Sequence, residues 1–170
     1  SPAADGVPCL LTLDASVEIA SANATRNLAL QDFLRGPRQT ALHPGELVTG
    51  VFIPEPTGQG HFLKLGARRY LVISIAMVAT RLTLTNNRIT QATIAVGSCG
   101  PKASRLTKLE AALIGLPADD VVPSVTSAIV SPDLTPITDL RATDAYRLIA
   151  ATELVRRSLA AVTTTQEAAA

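Results

Sequence analysis

Tryptophan is absent from this chain, aromatic residues make up only 3% of it, and a single methionine occurs. Stacking platforms for single-stranded nucleic acid are therefore scarce. A surplus of one charge sign is also lacking: 15 basic residues face 14 acidic ones, for a net charge of +1, and no Lys/Arg run exceeds two residues. Such a surface offers no field to hold a polyanion, so nucleic acid is set aside as a partner. Long apolar runs are missing too. A bilayer span needs about 20 apolar residues, and the best stretch, residues 71–79, has about half that. That stretch is expected to be buried core, and no membrane span is expected. The chain opens on Ser-Pro with an acid at position 5 and no basic leader. No signal-peptide layout is seen, and the cytoplasm is the expected compartment.

Cysteine and histidine are nearly as rare, with two of each. Cys9 and Cys99 lie far apart without a CxxC pattern or a histidine cluster. They read as free thiols, Cys99 packed at the end of a strand, and no metal site is expected. His43 and His61 stand beside Pro44-Gly45 and Gly60 and read as solvated loop imidazoles. GxGxxG and Walker sequences are absent, and Asn23-Ala24-Thr25 reads as a turn. No residue is assigned a catalytic role.

What is present is a chain of 170 residues with 47% hydrophobic content, enough to bury a core in one domain or two small lobes. Up to Pro54 the pattern predicts short strands at 16–20, 25–30 and 47–53, with the first two joined by a hairpin. A helical turn is predicted at 31–34, stopped by Gly36-Pro37. Two prolines and two glycines within 54–60 mark the best boundary. Beyond it, strands are predicted at 62–65, 74–84 and 88–96, the last two turning at Asn86-Asn87, which together imply a three-stranded antiparallel sheet.

The remainder reads as helical. Thr107-Lys108-Leu109-Glu110 fits a capping box, with Gly115 and Pro117 ending that helix. A second helix is predicted from Asp119 or Asp120 through Ile129, and a third from Thr143 or Asp144 through about Val162. The third carries a stripe of Ala145, Leu148, Ile149, Thr152, Val155 and Leu159, with Arg147 off it, that should pack on the sheet. The expected organisation is therefore 1–54, a linker at 55–60, a second unit at 61–162 and a frayed tail at 163–170.

Five segments carry a further signal through their order: Ser1-Pro2-Ala3-Ala4-Asp5; Leu13-Asp14-Ala15; Phe33-Leu34-Arg35-Gly36-Pro37-Arg38-Gln39-Thr40-Ala41-Leu42; Phe62-Leu63-Lys64-Leu65-Gly66-Ala67-Arg68-Arg69; and Ile94-Ala95-Val96-Gly97. Pro44-Gly45-Glu46-Leu47-Val48 and Ile53-Pro54 follow the third of them. The set resembles the FAD-binding medium subunit of the molybdenum hydroxylases, the family of xanthine dehydrogenase and carbon monoxide dehydrogenase flavoproteins, across essentially all 170 residues.

The resemblance implies an α+β fold: a small strand-rich remnant of an FAD-binding lobe, followed by a three-stranded antiparallel sheet packed with helices. It implies an oxidoreductase subunit that passes electrons from iron–sulfur clusters to an external acceptor through FAD. The molybdenum cofactor would sit on a large partner subunit and the [2Fe–2S] clusters on a small one. Asp5 would lie at the flavin; its rival reading, from the residues alone, is an N-cap for the turn at Gly6-Val7-Pro8. Leu47 and Val48 would set a backbone amide and an aliphatic side chain beside the ring, where the residues alone read as strand core. Lys64 would place a cation near the ring's N1 edge and tune its potential, or else snorkel at the surface. Arg68, Arg69 and Tyr70 fall on a loop over the flavin, where Tyr70-Leu71-Val72 replaces acidic residues found in some members.

In the family an earlier subdomain wraps the FAD pyrophosphate, and this chain is expected to begin after it. Alone it is expected to bind FAD weakly or not at all, and to be inactive. The rival reading is a non-catalytic module that docks partner subunits, which should show a contiguous exposed apolar patch.

Overall fold

The structure, a computed structural model, describes residues 1–167. Its first part begins with a helix, α1 (Gly6–Thr12), where the sequence suggested only a turn. Pro8 sits in the first helical turn, where its missing N–H leaves no bond unmade, and it is buried together with Leu11 and Thr12. Strands β1 (Ser16–Ala20) and β2 (Thr25–Ala29) form the expected hairpin. It is closed by Ser21 N–H donating to Ala24 O at 2.8 Å, while the Ser21 hydroxyl accepts from the amides of Asn23 and Ala24. Val17 and Ile19 alternate inward on β1. A one-turn helix, α2 (Leu30–Phe33), leads into the small ribbon of β3 (Leu34–Gly36) and β4 (Gln39–Thr40). Strand β5 (Leu47–Phe52) pairs with the free side of β1, giving the order β2-β1-β5 with β5 outermost.

The second sheet is antiparallel, ordered β6 (Gln59–Leu65), β7 (Ala76–Thr85), β8 (Arg88–Gly97) and β9 (Ser104–Arg105). Three long strands were expected; the two-residue β9 adds a fourth, paired through Ala95 and Val96. Asn86 and Asn87 both adopt positive φ (51° and 60°), as the tight turn between β7 and β8 demands. On one face, Val78, Leu82, Ile94 and Val96 meet α3 (Thr107–Leu113), α4 (Ala118–Ser124), α5 (Ser127–Val130) and the long α6 (Asp144–Glu167) in the main core. On the other face, Ala95 joins Leu11, Val17, Ile19 and Phe33 in a second core. Gly97 leaves room for that approach: a Cβ there would stand 2.4 Å from Met77 Cε and 3.1 Å from Pro8 Cγ. No helix among the described residues is long and apolar enough to cross a membrane.

Several expectations are overturned. The capping box does not form: Leu106 holds the cap position and the Glu110 carboxylate turns away, accepting from Ile94 N–H at 2.7 Å and from Arg105. A buried strand amide and a guanidinium hold the acid more firmly than one helix-end N–H could. The helix predicted through Ile129 is two, because Pro123 cannot donate to the preceding turn and Val125–Thr126 is extended. On α6 the buried face runs through Arg147, Ala151, Val155, Ser158 and Val162, whereas Ile149 is exposed. Arg147 is buried because backbone carbonyls and a carboxylate await its guanidinium.

Within 71–79, burial begins only at Ser74; Leu71 is 93% exposed, since residues 66–75 form a loop and not a strand. His61 lies on β6, half-buried, with Nδ1 3.3 Å from the Ser158 hydroxyl. Helix α6 runs past Val162 through Glu167, with the Thr163 hydroxyl bonded to Leu159 O. The rest of the tail expected to fray, 168–170, lies outside the described residues.

Candidate functional site

Residues 1–5 cross the end of the second sheet, where β6 stops, β7 starts and β8 ends. Ser98 N–H fixes this segment by donating to Pro2 O at 2.9 Å. Asp5 then meets the end of β6: Lys64 Nζ donates to Asp5 Oδ2 at 2.5 Å, and the Ser74 hydroxyl donates to Asp5 Oδ1 at 2.6 Å. The three residues are up to 69 positions apart in the chain. Partial burial pushes the Asp5 carboxyl up, but the bonds from Lys64 and Ser74 outweigh it and hold the group below its ordinary value. Asp5 does occupy the N-cap position of α1, yet its side chain makes no capping bond and is committed to the lysine and the serine. With the two side chains 27% and 45% exposed, the pair remains open to a ligand.

Of the other sequence-predicted residues, Tyr70 lies on the loop between β6 and β7. It is exposed, with the Arg69 guanidinium 5.1 Å from its ring centre. The same loop is drawn tight by Arg68 Nη2 donating to Leu71 O, and Leu71 takes a left-handed φ of 49°. Leu47 and Val48 stand on β5, in the other sheet, and are not strand core. Leu47 is 72% exposed, and with Val51 and Phe52 it makes the outer strand an apolar surface that Ile53, just past its end, extends. Ser74 was missed by the sequence reading; a hydroxyl inside an otherwise apolar run was the available signal.

Ser74 also lines a cavity of about 420 Å³ whose walls include Pro2, Ala3, Ile73, Ser98, Pro101 and Ile137. At its polar end Arg147 donates through Nη1 to Ile75 O (2.6 Å) and Ser98 O (3.0 Å), and through Nη2 to Asp139 Oδ1 (2.7 Å). Arg141 reaches Asp139 Oδ2 at 3.3 Å. The Arg141 backbone amide foremost, and then Arg147 against the opposing effect of partial burial, bring the Asp139 carboxyl down to about 2. Cys99 is buried nearby, and desolvation pushes its thiol up to about 11; Cys9 and Cys99 are both free. Among the described residues no group of three or more His, Cys, Asp or Glu side chains is placed to hold a metal ion.

Comparison with known proteins adds an independent line. Residues 61–162 match the CO dehydrogenase flavoprotein C-terminal domain, and residues 1–56 match the FAD binding domain in molybdopterin dehydrogenase. The glyceraldehyde dehydrogenase medium chain of Sulfolobus acidocaldarius is 33% identical over 147 residues, covering 86% of this chain and 52% of that protein. The nicotine 6-hydroxylase medium subunit of Paenarthrobacter nicotinovorans is 32% identical over 151 residues, covering 88% and 53%. Among solved structures, a cyanide-inactivated Cu,Mo-CO dehydrogenase superposes with a TM-score of 0.88 at 24% identity, over 96% of this chain and 58% of that one. Quinoline 2-oxidoreductase from Pseudomonas putida 86 gives 0.86 at 23% identity, over 97% and 57%. At those identities the likeness is one of fold. The chain spans about half the length of the curated relatives it matches.

Proposed function

We propose that this chain, which belongs to the CO dehydrogenase flavoprotein C-terminal domain family, supplies one wall of the FAD site in the medium subunit of a molybdenum hydroxylase. The observation that carries the reading is the meeting of Asp5, Lys64 and Ser74 at the end of the second sheet. A partly exposed carboxylate and ammonium, side by side, suit a ring edge that presents both N–H donors and carbonyl acceptors. Asp5 would accept from the flavin, and Lys64 would bring a cation to its carbonyl edge. Leu47 and Val48 would offer an apolar strand, and Tyr70 would cover the ring from the loop. FAD, when bound, supplies the exchange between electron pairs and single electrons.

In this reading the chain forms two units, 1–54 and 61–162, joined at 55–60. The large partner subunit carries the molybdenum cofactor and the small one the [2Fe–2S] clusters. The medium subunit then stands between those clusters and an external acceptor, in the cytoplasm, where free thiols such as Cys9 and Cys99 persist. The 170-residue chain by itself holds FAD weakly and is inactive, because phosphate contacts are charge-assisted and hard to replace.

The test compares the visible spectrum and FAD affinity of this chain with those of a polypeptide of the relatives' length that carries it. The expected result is a colourless short form and a yellow long form. Lys64→Met should weaken FAD binding by the long form about tenfold, the worth of one charge-assisted contact. A long form that is colourless and ignores added FAD would overturn the flavin reading. The docking-module reading would then stand in its place, supported by the exposed Leu47, Val51 and Phe52 of β5 and the Ile53 that follows it.

A further inference from the structure

The open carboxylate at the end of the second sheet is held by a group that no ligand can touch. The Asp5 side chain is 45% exposed, whereas Ser74 is 1% exposed. The Ser74 hydroxyl donates to Asp5 Oδ1 at 2.6 Å, and Lys64 Nζ takes the other oxygen at 2.5 Å. A carboxylate offers about four acceptor positions. Ser74 and Lys64 fill one on each oxygen and leave the rest for solvent or a ligand.

These two holders differ in stiffness. Lys64 Nζ rides on a long, flexible stem, and its side chain is 27% exposed. Ser74 carries a short side chain on backbone that is clamped at the next residue. Ile75 N–H donates to Leu65 O at 2.8 Å, and Ile75 O accepts from the buried Arg147 at 2.6 Å. Strand β6 and helix α6 thus both fix the point from which the hydroxyl reaches Asp5. Without that hydroxyl, Asp5 would follow a lysine that moves. Lys64 is also the charged group beside Asp5. The Cys9 thiol, further along α1, stays protonated, because burial foremost pushes it up and the Asp5 charge adds to that.

We propose that Ser74 is a positioning residue of the flavin site and acts through Asp5: its buried hydroxyl fixes the carboxylate's rotamer, so that Asp5 meets the ligand already oriented. For the identity of the ligand this rests on the flavin reading above; the hold on Asp5 does not. A pre-oriented acceptor has less side-chain freedom to lose on binding. Ser74 therefore touches no ligand atom and still governs affinity.

One arm of the test uses the 170-residue chain without flavin. The side-chain carboxyl carbon of Asp5 is followed by NMR across pH in the wild type and in Ser74→Ala. Burial pushes this carboxyl up, and the bonds from Lys64 and Ser74 hold it below its ordinary value. Removing the hydroxyl should move the titration to higher pH, whereas a serine that only packs would leave it unmoved. The other arm titrates FAD into the polypeptide of the relatives' length and reads the quenching of flavin fluorescence. Ser74→Ala should weaken FAD about fivefold, the worth of one net hydrogen bond. In an Asp5→Ala background the same change should cost nothing further, because the carboxylate through which Ser74 acts is gone.

A fivefold loss that persists in the Asp5→Ala background would make Ser74 a direct contact or a packing residue and overturn the proposal. So would an unmoved Asp5 titration with FAD still bound, a result that leaves the flavin reading intact. A wild-type long form that ignores FAD, beside an Asp5 titration that does move, would overturn the flavin reading and the role of Ser74 in it together.

Discussion

Two carboxylates do much of the side-chain fastening in this molecule. Glu46 takes Arg26 through both oxygens at 2.8 Å and the His43 amide at 2.7 Å. The Arg26 bonds foremost bring its carboxyl down to about 2, from near 4.5. Asp139 comes down to about 2 from near 3.8. A carboxyl whose folded pKa is depressed contributes stability that is present above its unfolded value and lost as pH falls through the folded one. The unfolding temperature should therefore fall between about pH 4.5 and pH 2, with both groups contributing. Asp139→Asn keeps an acceptor for the Arg141 and Ala142 amides but removes the charge. Its unfolding temperature should depend less on pH across that window, and an unchanged slope would remove Asp139 as a source.

At the level of elements, the start of β6 is the tightest point of the second sheet. Gly58 stands there with φ 70°, and a Cβ would lie 2.1 Å from Leu82 O and 2.5 Å from Thr83 Oγ1. The neighbour is backbone of β7 and cannot yield without distorting the sheet. Gly58→Ala should cost about 1–3 kcal/mol from strain alone. Urea unfolding checks this: a lowered midpoint is expected, and an unmoved one would deny the close approach. The hairpins were legible because period-two alternation and turn residues such as Asn86-Asn87 act locally. Helix α1 was not, since Gly6-Val7-Pro8 is weak helix former by itself and becomes helical where Pro8 and Leu11 are buried against the sheet.

For the molecule as a whole, the outer strand β5 is the exposed liability. Among the described residues it pairs only with β1 within its sheet, bears no charge, and presents Leu47, Val48, Val51 and Phe52 to solvent. Open edges of this kind invite pairing with another chain. The 170-residue chain should therefore self-associate as its concentration rises. Val51→Lys with Phe52→Lys should weaken that association about tenfold or more, the worth of one buried apolar side chain. Sedimentation velocity across a concentration series reads it directly, and a wild-type chain that stays monomeric throughout would show that the edge is protected.

The sequence by itself determined the α+β class, the hairpins and the long last helix, because periodicity and turn chemistry are written along the chain. Only the tertiary structure decided which groups meet. Asp5 finds Lys64 and Ser74 across the end of a sheet, and Glu110 abandons its own helix for Ile94 and Arg105. Arg147 turns inward on α6 although the hydropathy pattern leaves it off the apolar stripe. In each case the deciding partner is a charge or a backbone group remote in sequence, brought near by packing that hydrophobic burial drives without regard to those polar groups.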